Sequence, residues 1–327
     1  MKICYFSCST IYGGVEKIVV DTLNEISKNN ECCLVVPNGC LYKNRVSSNV
    51  KIVEYKSYDK RYNIFLYLEL LSIFKNYDVV HSHAAKATQI TYILNKFLSF
   101  VHVATKHNIR KGKIFNKVKN VISVSNEVAK TITHDSKTLY FGLPLLDLKK
   151  NKQDIFTITA IGRLDPIKGF DSLIKEVSKL DFDYRLNIIG DGKQKDDLEK
   201  LIISNNLQNR VFLLGFRDNI VQYLKDCDLQ VISSFSEGLP ITLIEGILYS
   251  SVIISTPVGG IKEVIDKDFL IHIDEFSKKI SNIYSNYESY VENFKIKHNS
   301  MKEKFNFNNY VLELINYYKG CIDAKTS

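Results

Sequence analysis

One stretch of the chain carries a carboxylate in a turn and a second carboxylate in the helix that follows the turn. A polar turn carries Glu237 and Gly238 after an apolar strand, and Pro240 stands where a first helical residue is favoured. Leu239 begins a run of apolar residues at helical spacing, and Glu245 lies one to two turns along it. The backbone amides at such a helix start, here those of Gly238 and Leu239, attract an anion, most often a phosphate.

Carboxylates beside a phosphate site require an explanation, because neighbouring anions repel each other. Either cations elsewhere balance them, or Glu237 accepts hydrogen bonds from hydroxyls on the uncharged part of the same ligand. A nucleotide-sugar offers a diphosphate for the helix end and sugar hydroxyls for the carboxylates. Arg163 and Lys168 flank a turn at another strand end, and about two cations can hold a diphosphate. The alternative for Arg163 is an ion pair with Asp165.

Histidines and glycines mark further strand ends. His81 and His83 close one predicted strand, and His107 follows the next. Because the carboxyl ends of strands line the ligand crevice of open α/β sheets, all three are site candidates. We interpret His81 as a packed core residue and favour function for His83 and His107. Gly13 and Gly14, between the first strand and first helix, would let a ligand approach the backbone.

Strands and helices alternate along nearly the whole chain. The predicted strands cover residues 2–6, 32–36, 50–55, 78–83, 101–104, 121–124, 138–141, 156–161, 186–189, 211–214, 229–232, 253–255 and 269–271. The principal predicted helices cover residues 15–28, 64–74, 84–98, 127–133, 195–205, 220–225, 261–265 and 307–318, with another ending near residue 180. A polar, Lys-rich stretch at 148–154 separates two such series. The pattern predicts two doubly wound halves with parallel sheets.

Composition is typical of a globular protein. The 327 residues leave room for two domains, and 45% of them are apolar. Apolar runs fall short of a membrane span, and the N-terminus lacks a signal-peptide core. The seven cysteines show no CxxC spacing, which favours reduced thiols in a cytoplasmic protein over disulfides or a zinc site.

Positive charge is concentrated in the first half of the chain. Residues 1–150 contain 22 Lys and Arg against 11 Asp and Glu, or +11, and the remainder gives −3, which sums to the net +8. The densest basic stretch is Lys106, Arg110, Lys111, Lys113, Lys117 and Lys119. It is either a solvated face or a surface for anionic membrane lipids or a phosphate-bearing substrate. Without a recognised nucleic-acid module, we expect no nucleic-acid partner.

The ordered set of motifs resembles glycosyltransferase family 4, of the two-Rossmann GT-B type. The resemblance covers nearly the whole chain. It rests on Gly13-Gly14-Val15-Glu16, residues 78–83, 105–108 and 124–125, Gly162-Arg163-Leu164 with Lys168-Gly169, Gly190-Asp191-Gly192, Glu237-Gly238-Leu239-Pro240 with Glu245, and Val258-Gly259-Gly260 before Glu263.

The resemblance implies a role for each candidate in the second half. Arg163 and Lys168 would bind the donor diphosphate. Glu237 would contact hydroxyls of the transferred sugar, and Glu245 would hold the ribose. Such enzymes retain the anomeric configuration and usually need no divalent metal, and we expect no cofactor because the nucleotide-sugar is a substrate.

The resemblance also implies roles in the first half. Gly13 and Gly14 would approach the diphosphate, and His83, with His107, would lie near the reacting sugar carbon. The expected fold is α/β, with two Rossmann-like domains facing a central cleft and a C-terminal helix crossing back. Residues 1–148, with about 306–327, would form the acceptor domain, and 149–305 the donor domain.

The expected activity is transfer of a sugar from a nucleotide-diphosphate sugar to a glycan or lipid-linked acceptor. A role in bacterial surface polysaccharide or lipopolysaccharide synthesis fits a cytoplasmic protein, peripheral on the inner face of the membrane through residues 106–119. The alternatives are a sugar-nucleotide 2-epimerase of the same fold and a non-catalytic partner subunit of a glycosyltransferase. A dinucleotide dehydrogenase is disfavoured, since no GxGxxG fingerprint follows either leading strand.

Overall fold

The computed structural model describes residues 1–58, 60–110 and 112–326, which fold into two compact units. Unit 1 comprises Met1–Pro144 and Phe305–Ser327, and unit 2 comprises Leu145–Lys304. The chain therefore leaves unit 1 a few residues before the predicted boundary at residue 148.

Unit 1 is built on a parallel sheet. Its strands are β1 (Lys2–Phe6), β2 (Glu31–Pro37), β3 (Val50–Tyr55), β4 (Val79–His83), β5 (Val101–Lys106), β6 (Asn120–Ser123) and β7 (Lys137–Thr138). Its helices are α1 (Gly14–Ile26), α2 (Ile64–Phe74), α3 (Ala84–Leu94), α4 (Asn126–Ala129) and, at the C-terminal end, α11 (Phe307–Thr326). The strand order β3-β2-β1-β4-β5-β6-β7 is that of a doubly wound fold.

Alternation along β1 sends side chains to two cores. Ile3 and Tyr5 pack in a cluster with residues of α1 and α11, whereas Cys4 and Phe6 pack in a cluster with residues of α2 and α3. Both faces of the sheet are covered, which explains why its central strands β1, β4 and β5 are buried almost throughout.

Unit 2 repeats the architecture on a smaller scale. Its strands are β8 (Phe156–Ile161), β9 (Tyr184–Ile189), β10 (Val211–Gly215), β11 (Leu229–Ile232) and β12 (Ile253–Ser255). Its helices are α5 (Phe170–Val177), α6 (Lys195–Ser204), α7 (Ile220–Asp226), α8 (Ile241–Tyr249), α9 (Phe276–Ser285) and α10 (Tyr287–Lys304). The parallel sheet has the order β10-β9-β8-β11-β12. Two Rossmann-like sheets and a C-terminal helix that returns to unit 1 confirm the predicted fold class.

Several local predictions were wrong. Residues 261–263 belong to a short 3-10 segment, Gly259–Glu263, rather than to an α-helix. The strand predicted at 138–141 is only Lys137–Thr138. The predicted strand at 269–271 is replaced by the 3-10 turn Lys267–Phe269, next to a single bridge between Ser255 and Leu270. Pro240 precedes α8 as its N-cap instead of opening the helix. At 261–265 and at 269, apolar residues are buried by tertiary packing although they lie outside any α-helix or strand.

Candidate functional site

In unit 2, the loop after β8 presents the two predicted cations. Arg163 is 69% exposed and lies 3.4 Å from Asp165, so the alternative ion pair is present. Asp165 also caps the 3-10 turn Pro166–Lys168, with its Oδ1 accepting from the Ile167 amide. Lys168 ends that turn, and its side chain is 20% exposed. The two cations therefore differ, one reaching into solvent and the other held against the protein.

Lys168 is held by Glu237 from the loop after β11. Its Nζ donates to Glu237 Oε1 at 2.5 Å, and the Glu237 carboxylate is only 11% exposed. Ser234 Oγ donates to the same oxygen at 2.7 Å, and Ser233 Oγ bonds the Lys168 carbonyl at 2.8 Å. The structure thus brings together the predicted sugar-contacting acid and one predicted phosphate-binding cation from positions 69 residues apart.

Two glycines allow these loops to touch. Gly169 has φ +65°, and a Cβ there would meet the Ser233 carbonyl oxygen at 2.3 Å. Gly259 has φ +51°, and a Cβ there would meet the Glu237 carbonyl oxygen at 1.8 Å. Only glycine fits such backbone contacts at positive φ. The geometry of the Glu237 turn therefore depends on glycines in the loops on both sides of it.

The helix after the Glu237 turn is α8. Gly238 and Leu239 lie just before it, and the Leu239 side chain is buried. Glu245 lies within α8 and its side chain is fully buried. Glu245, the residue predicted to hold the ribose, therefore lies beneath the protein surface, whereas Glu237 lies nearer to the surface.

In unit 1, the carboxyl ends of β4 and β5 bring the predicted histidines together. His81 bonds Tyr318 Oη through Nδ1 and Thr105 Oγ1 through Nε2, both at 2.6 Å. This is the hydrogen-bonded core histidine that we predicted. Tyr318 comes from α11 and also bonds Tyr5 Oη at 2.8 Å, so the C-terminal helix fixes the His81 ring.

His83 and His107 form a second contact at the same edge. His83 Nδ1 lies 3.1 Å from His107 Nε2, and the His83 ring stacks on His81 with centroids 4.3 Å apart. His83 Nε2 is buried without a hydrogen-bond partner among the described residues. Burial, with the neighbouring rings, lowers the pKa of His83 well below its usual range, and burial lowers that of His107 to about 4.

Four histidines in or next to this sheet are therefore neutral near pH 7. We call them the buried histidines: His81, His83 and His102, which are buried, and His107, which is half-buried. His102 bonds Ser82 Oγ at 2.9 Å, and burial lowers its pKa to about 3. Neutral imidazoles can accept or donate hydrogen bonds to sugar hydroxyls, but they are poor general acids.

Gly13 and Gly14 lie where α1 begins. Gly13 caps the helix in an extended conformation with φ −143°, and a Cβ there would approach the Glu16 carboxylate at 3.1 Å. Burial raises the pKa of Glu16 above its usual range. The helix start thus already has a carboxylate beside it.

The basic stretch at 106–119 does not form one surface. Lys106 is buried at the end of β5, its Nζ bonding Thr131, and burial lowers its pKa. Lys117 and Lys119 precede β6 and therefore lie towards the opposite, amino edge of the sheet, with Lys96 and Lys325 around a groove of about 540 Å³. Lys111 lies outside the described residues. Treating the stretch as a single cationic patch was therefore wrong, because the chain crosses the sheet within it.

Several residues of these sites were missed by sequence reasoning. Ser234 and Thr105 are ordinary hydroxyl residues, and Tyr318 lies far along the chain from its partner His81. Ser234 stands next to the Glu237 turn and could have been suspected from proximity. Nothing in the local sequence distinguishes Tyr318 as a site residue, because it occupies an ordinary apolar position of an amphipathic helix.

Solved structures of other proteins share this architecture. Anabaena HepE in complex with UDP-glucose superposes with a TM-score of 0.86 over 98% of this chain and 100% of HepE, at 18% identity. The chain thus has the GT-B fold of glycosyltransferases. Residues 147–301, somewhat less than half of the chain, match the family described as Glycosyl transferases group 1.

Curated relatives agree over parts of the chain. An uncharacterized glycosyltransferase of Methanocaldococcus jannaschii is 29% identical over 208 residues, 58% of either chain. The N-acetylgalactosamine-N,N'-diacetylbacillosaminyl-diphospho-undecaprenol 4-alpha-N-acetylgalactosaminyltransferase of Campylobacter jejuni is 35% identical over 121 residues, which is 36% of this chain and 33% of the relative. The chain therefore matches 58% of the length of the first relative and 33% of the length of the second.

Within residues 1–58, 60–110 and 112–326, no three His, Cys, Asp or Glu side chains are grouped so that they could hold a metal ion. None of the helices in those ranges has the length and apolar character needed to cross a bilayer.

Proposed function

We propose that this chain is a retaining glycosyltransferase that moves a sugar from a nucleotide-diphosphate sugar to a glycan or lipid-linked acceptor, without a divalent metal. We further propose a role in bacterial surface polysaccharide or lipopolysaccharide synthesis. The observation that carries the proposal is the 2.5 Å contact between Lys168 and Glu237, which lie within the stretch that matches the family described as Glycosyl transferases group 1. A relative from Campylobacter jejuni is named for transfer to a diphospho-undecaprenol-linked sugar, which supports a lipid-linked acceptor.

The proposed donor site lies in unit 2. Lys168 and the exposed Arg163 guanidinium would hold the diphosphate, together with the Gly238 and Leu239 amides before α8. Glu237 would accept hydrogen bonds from hydroxyls of the transferred sugar. Glu245, buried in α8, would hold the ribose and needs the turn above it to admit the ligand.

Unit 1 would bind the acceptor. His83 has a buried Nε2 without a partner among the described residues, as expected of a group that completes its hydrogen bonding with a ligand. His107 would hold the His83 ring from the other side at 3.1 Å. Gly13 and Gly14 would admit the diphosphate at the start of α1.

The chemistry follows from how charge develops. A retaining transfer without an evident protein nucleophile points to an oxocarbenium-like transition state, in which the leaving diphosphate gains negative charge. Arg163, Lys168 and the helix end would stabilise that charge, and one such contact is worth about 3 kcal/mol. Glu237 would stabilise the positive charge that develops on the sugar.

A thermal-shift panel of nucleoside diphosphates and nucleotide-sugars tests the proposal. One nucleotide-sugar should raise the melting temperature, and free nucleoside diphosphate should be released only when an acceptor is present. Release without an acceptor, with a rearranged sugar, would favour the epimerase, and binding without turnover would favour the non-catalytic subunit.

Replacement of Arg163 tests the diphosphate contact directly. Arg163→Ala should lower the transfer rate roughly a hundredfold. Arg210→Ala is the matched control, because Arg210, just before β10, forms a similar exposed ion pair, 3.5 Å from Asp183, which lies just before β9. Equal rates for the two variants would contradict the assignment of Arg163.

A further inference from the structure

Exposed apolar side chains are concentrated at one edge of the unit 1 sheet. Among the described residues of unit 1, nine large apolar side chains are exposed, and seven of them follow the carboxyl ends of β1, β2 and β3. We call these seven the apolar rim: Ile11, Leu41, Tyr58, Tyr62, Ile64, Phe65 and Leu68. Single exposed apolar residues are ordinary, but a group of this size at one place marks an interaction surface.

The loops that carry the rim are bonded to each other by their backbones. The Leu41 amide donates to the Thr10 carbonyl at 3.0 Å, which joins the loops after β1 and β2. The Asn38 amide donates to the Tyr55 carbonyl at 3.0 Å, which joins the loop after β2 to the end of β3. Since the three strands are parallel neighbours, their loops emerge side by side.

Helix α2 cannot bury its exposed rim residues by rotating about its own axis. Its opposite face, at Leu66, Leu70 and Phe74, is fully buried in the core. Rolling the helix to cover Phe65 and Leu68 would expose those residues instead. The Asn63 side chain caps the helix by accepting from the Phe65 amide at 3.2 Å, which fixes where the helix begins.

The charges around the rim are mostly positive. Lys56, Lys60 and Arg61 follow β3. The nearby Glu69 is turned inward, its two oxygens accepting from the Lys56 and Ser57 amides at 2.9 Å each. Glu54 is likewise engaged, by the Gly39 amide and by Lys43 at 2.9 Å. Asp59, in the same loop, lies outside the described residues.

We propose that the apolar rim is a docking surface for an anionic lipid bilayer. Apolar and aromatic side chains would enter the headgroup region, and the adjacent cations would meet lipid phosphates. Two tyrosines, Tyr58 and Tyr62, have the amphipathic character that suits a membrane interface. The basic stretch at 106–119 offers no such apolar group, because Phe115 is buried and Ile109 and Ile114 are half-buried.

The position of the rim relates it to the proposed acceptor site. Strand β4, which ends at His83, lies next to β1 in the sheet and runs parallel to it. A bilayer seated on the rim would therefore present a lipid-linked acceptor at the edge that holds the buried histidines. In this respect the inference deepens the proposed function and rests on it, whereas bilayer binding itself does not require transfer activity.

Vesicle flotation with the full chain tests the rim. We expect binding to vesicles of phosphatidylcholine mixed with phosphatidylglycerol, and much weaker binding to phosphatidylcholine alone. The double variant Phe65→Ser, Leu68→Ser should bind the mixed vesicles at least about tenfold more weakly, because two apolar side chains no longer enter the interface. Phe97→Ser is the matched control: Phe97 is 73% exposed but lies beyond α3, at the amino edge of the sheet, and its loss should leave binding unchanged.

A charge variant tests the second half of the proposal. Lys60→Glu, Arg61→Glu should remove the preference for anionic vesicles, while Lys96→Glu at the opposite edge should keep it. These residues are all exposed, and circular dichroism confirms that each variant folds.

Three results would overturn the proposal. They are failure of the natural chain to float with anionic vesicles, an equal loss of binding in the rim and control variants, and a rim that instead holds a dimer detected by light scattering. Donor binding is measured separately, by thermal shift without vesicles. A donor shift without flotation rejects only the rim, and flotation without any donor shift rejects only the proposed function.

Discussion

Replacing Glu237 by Gln should strengthen binding of the nucleoside diphosphate and slow sugar transfer. Lys168 is proposed to hold the diphosphate, yet in the structure its Nζ is bonded to Glu237 Oε1 at 2.5 Å. Replacing the carboxylate by its neutral isostere, Glu237→Gln, keeps a hydrogen-bond acceptor of the same shape but removes the charge. The ammonium group of Lys168 is then freer to meet a phosphate.

The size of the effect follows from this one contact. Lys168 stays charged in Glu237→Gln and can still donate a hydrogen bond to the Gln amide oxygen, so the variant loses only the Coulomb attraction of the ion pair, which contributes about 0.2–1 kcal/mol in a screened pair. The pair is only partly screened, with Lys168 20% exposed and Glu237 11% exposed, so the upper part of that range applies. About 1 kcal/mol corresponds to roughly fivefold tighter binding of the nucleoside diphosphate. Loss of repulsion between Glu237 and the phosphates acts in the same direction.

Transfer should respond in the opposite way. The Gln side chain cannot stabilise positive charge on the sugar, so the transfer rate should fall roughly a hundredfold. Isothermal titration with the nucleoside diphosphate and steady-state kinetics with the nucleotide-sugar measure the two effects on one preparation. Asp183→Asn is the control, because it removes the charge of another unit 2 carboxylate, just before β9, that pairs with Arg210 just before β10.

The opposite signs make the reasoning refutable. If Glu237→Gln weakens binding of the nucleoside diphosphate, Glu237 positions Lys168 for the phosphates instead of competing with them. If transfer by Glu237→Gln stays within about twofold of the natural rate, the carboxylate does not act on the sugar. A similar change in Asp183→Asn would mean that net charge, not the contact, is responsible.

Two further predictions concern unit 1. Tyr318→Phe removes the hydroxyl shared by Tyr5 and His81, and should lower the free energy of unfolding by about 2–3 kcal/mol in urea denaturation. The control is Tyr317→Phe, in which the half-buried Tyr317 should cost about 1 kcal/mol or less. Equal losses in the two variants would show that the Tyr318 hydroxyl is not structural. The pKa values of the buried histidines are lowered in the folded state, so the unfolded chain binds protons first as the pH falls. Their contribution to stability is complete above about pH 6.5 and is lost below it, down to about pH 4 for His107 and about pH 3 for His102, by up to about 1.4 kcal/mol per pH unit for each histidine. Thermal melting of the full chain that is unchanged between about pH 7 and 5 would contradict this assignment of neutral rings.

The sequence by itself determined the fold class and the location of most elements. Strands β3, β8, β11 and β12 and helix α2 occupy the predicted residues, because apolar runs of strand length between turn residues leave few alternatives. The candidate loops also followed from local chemistry, since a glycine or an acid after a strand indicates a turn at the carboxyl edge of a sheet. Elements at the periphery were less predictable, and the strand expected at 269–271 is a 3-10 turn because packing overrides weak local preferences.

Only the tertiary structure decided which of those residues meet. The pairing of Lys168 with Glu237, the hold of Tyr318 on His81 and the contact of His83 with His107 join positions between 24 and 237 residues apart. Strand order and loop packing set such contacts, and neither is written in a local pattern. For the same reason a continuous basic stretch divided between two edges of one sheet, while apolar residues from three separate loops came together as the rim. Sequence spacing describes neighbours along one element, whereas a binding surface is made of neighbours across several.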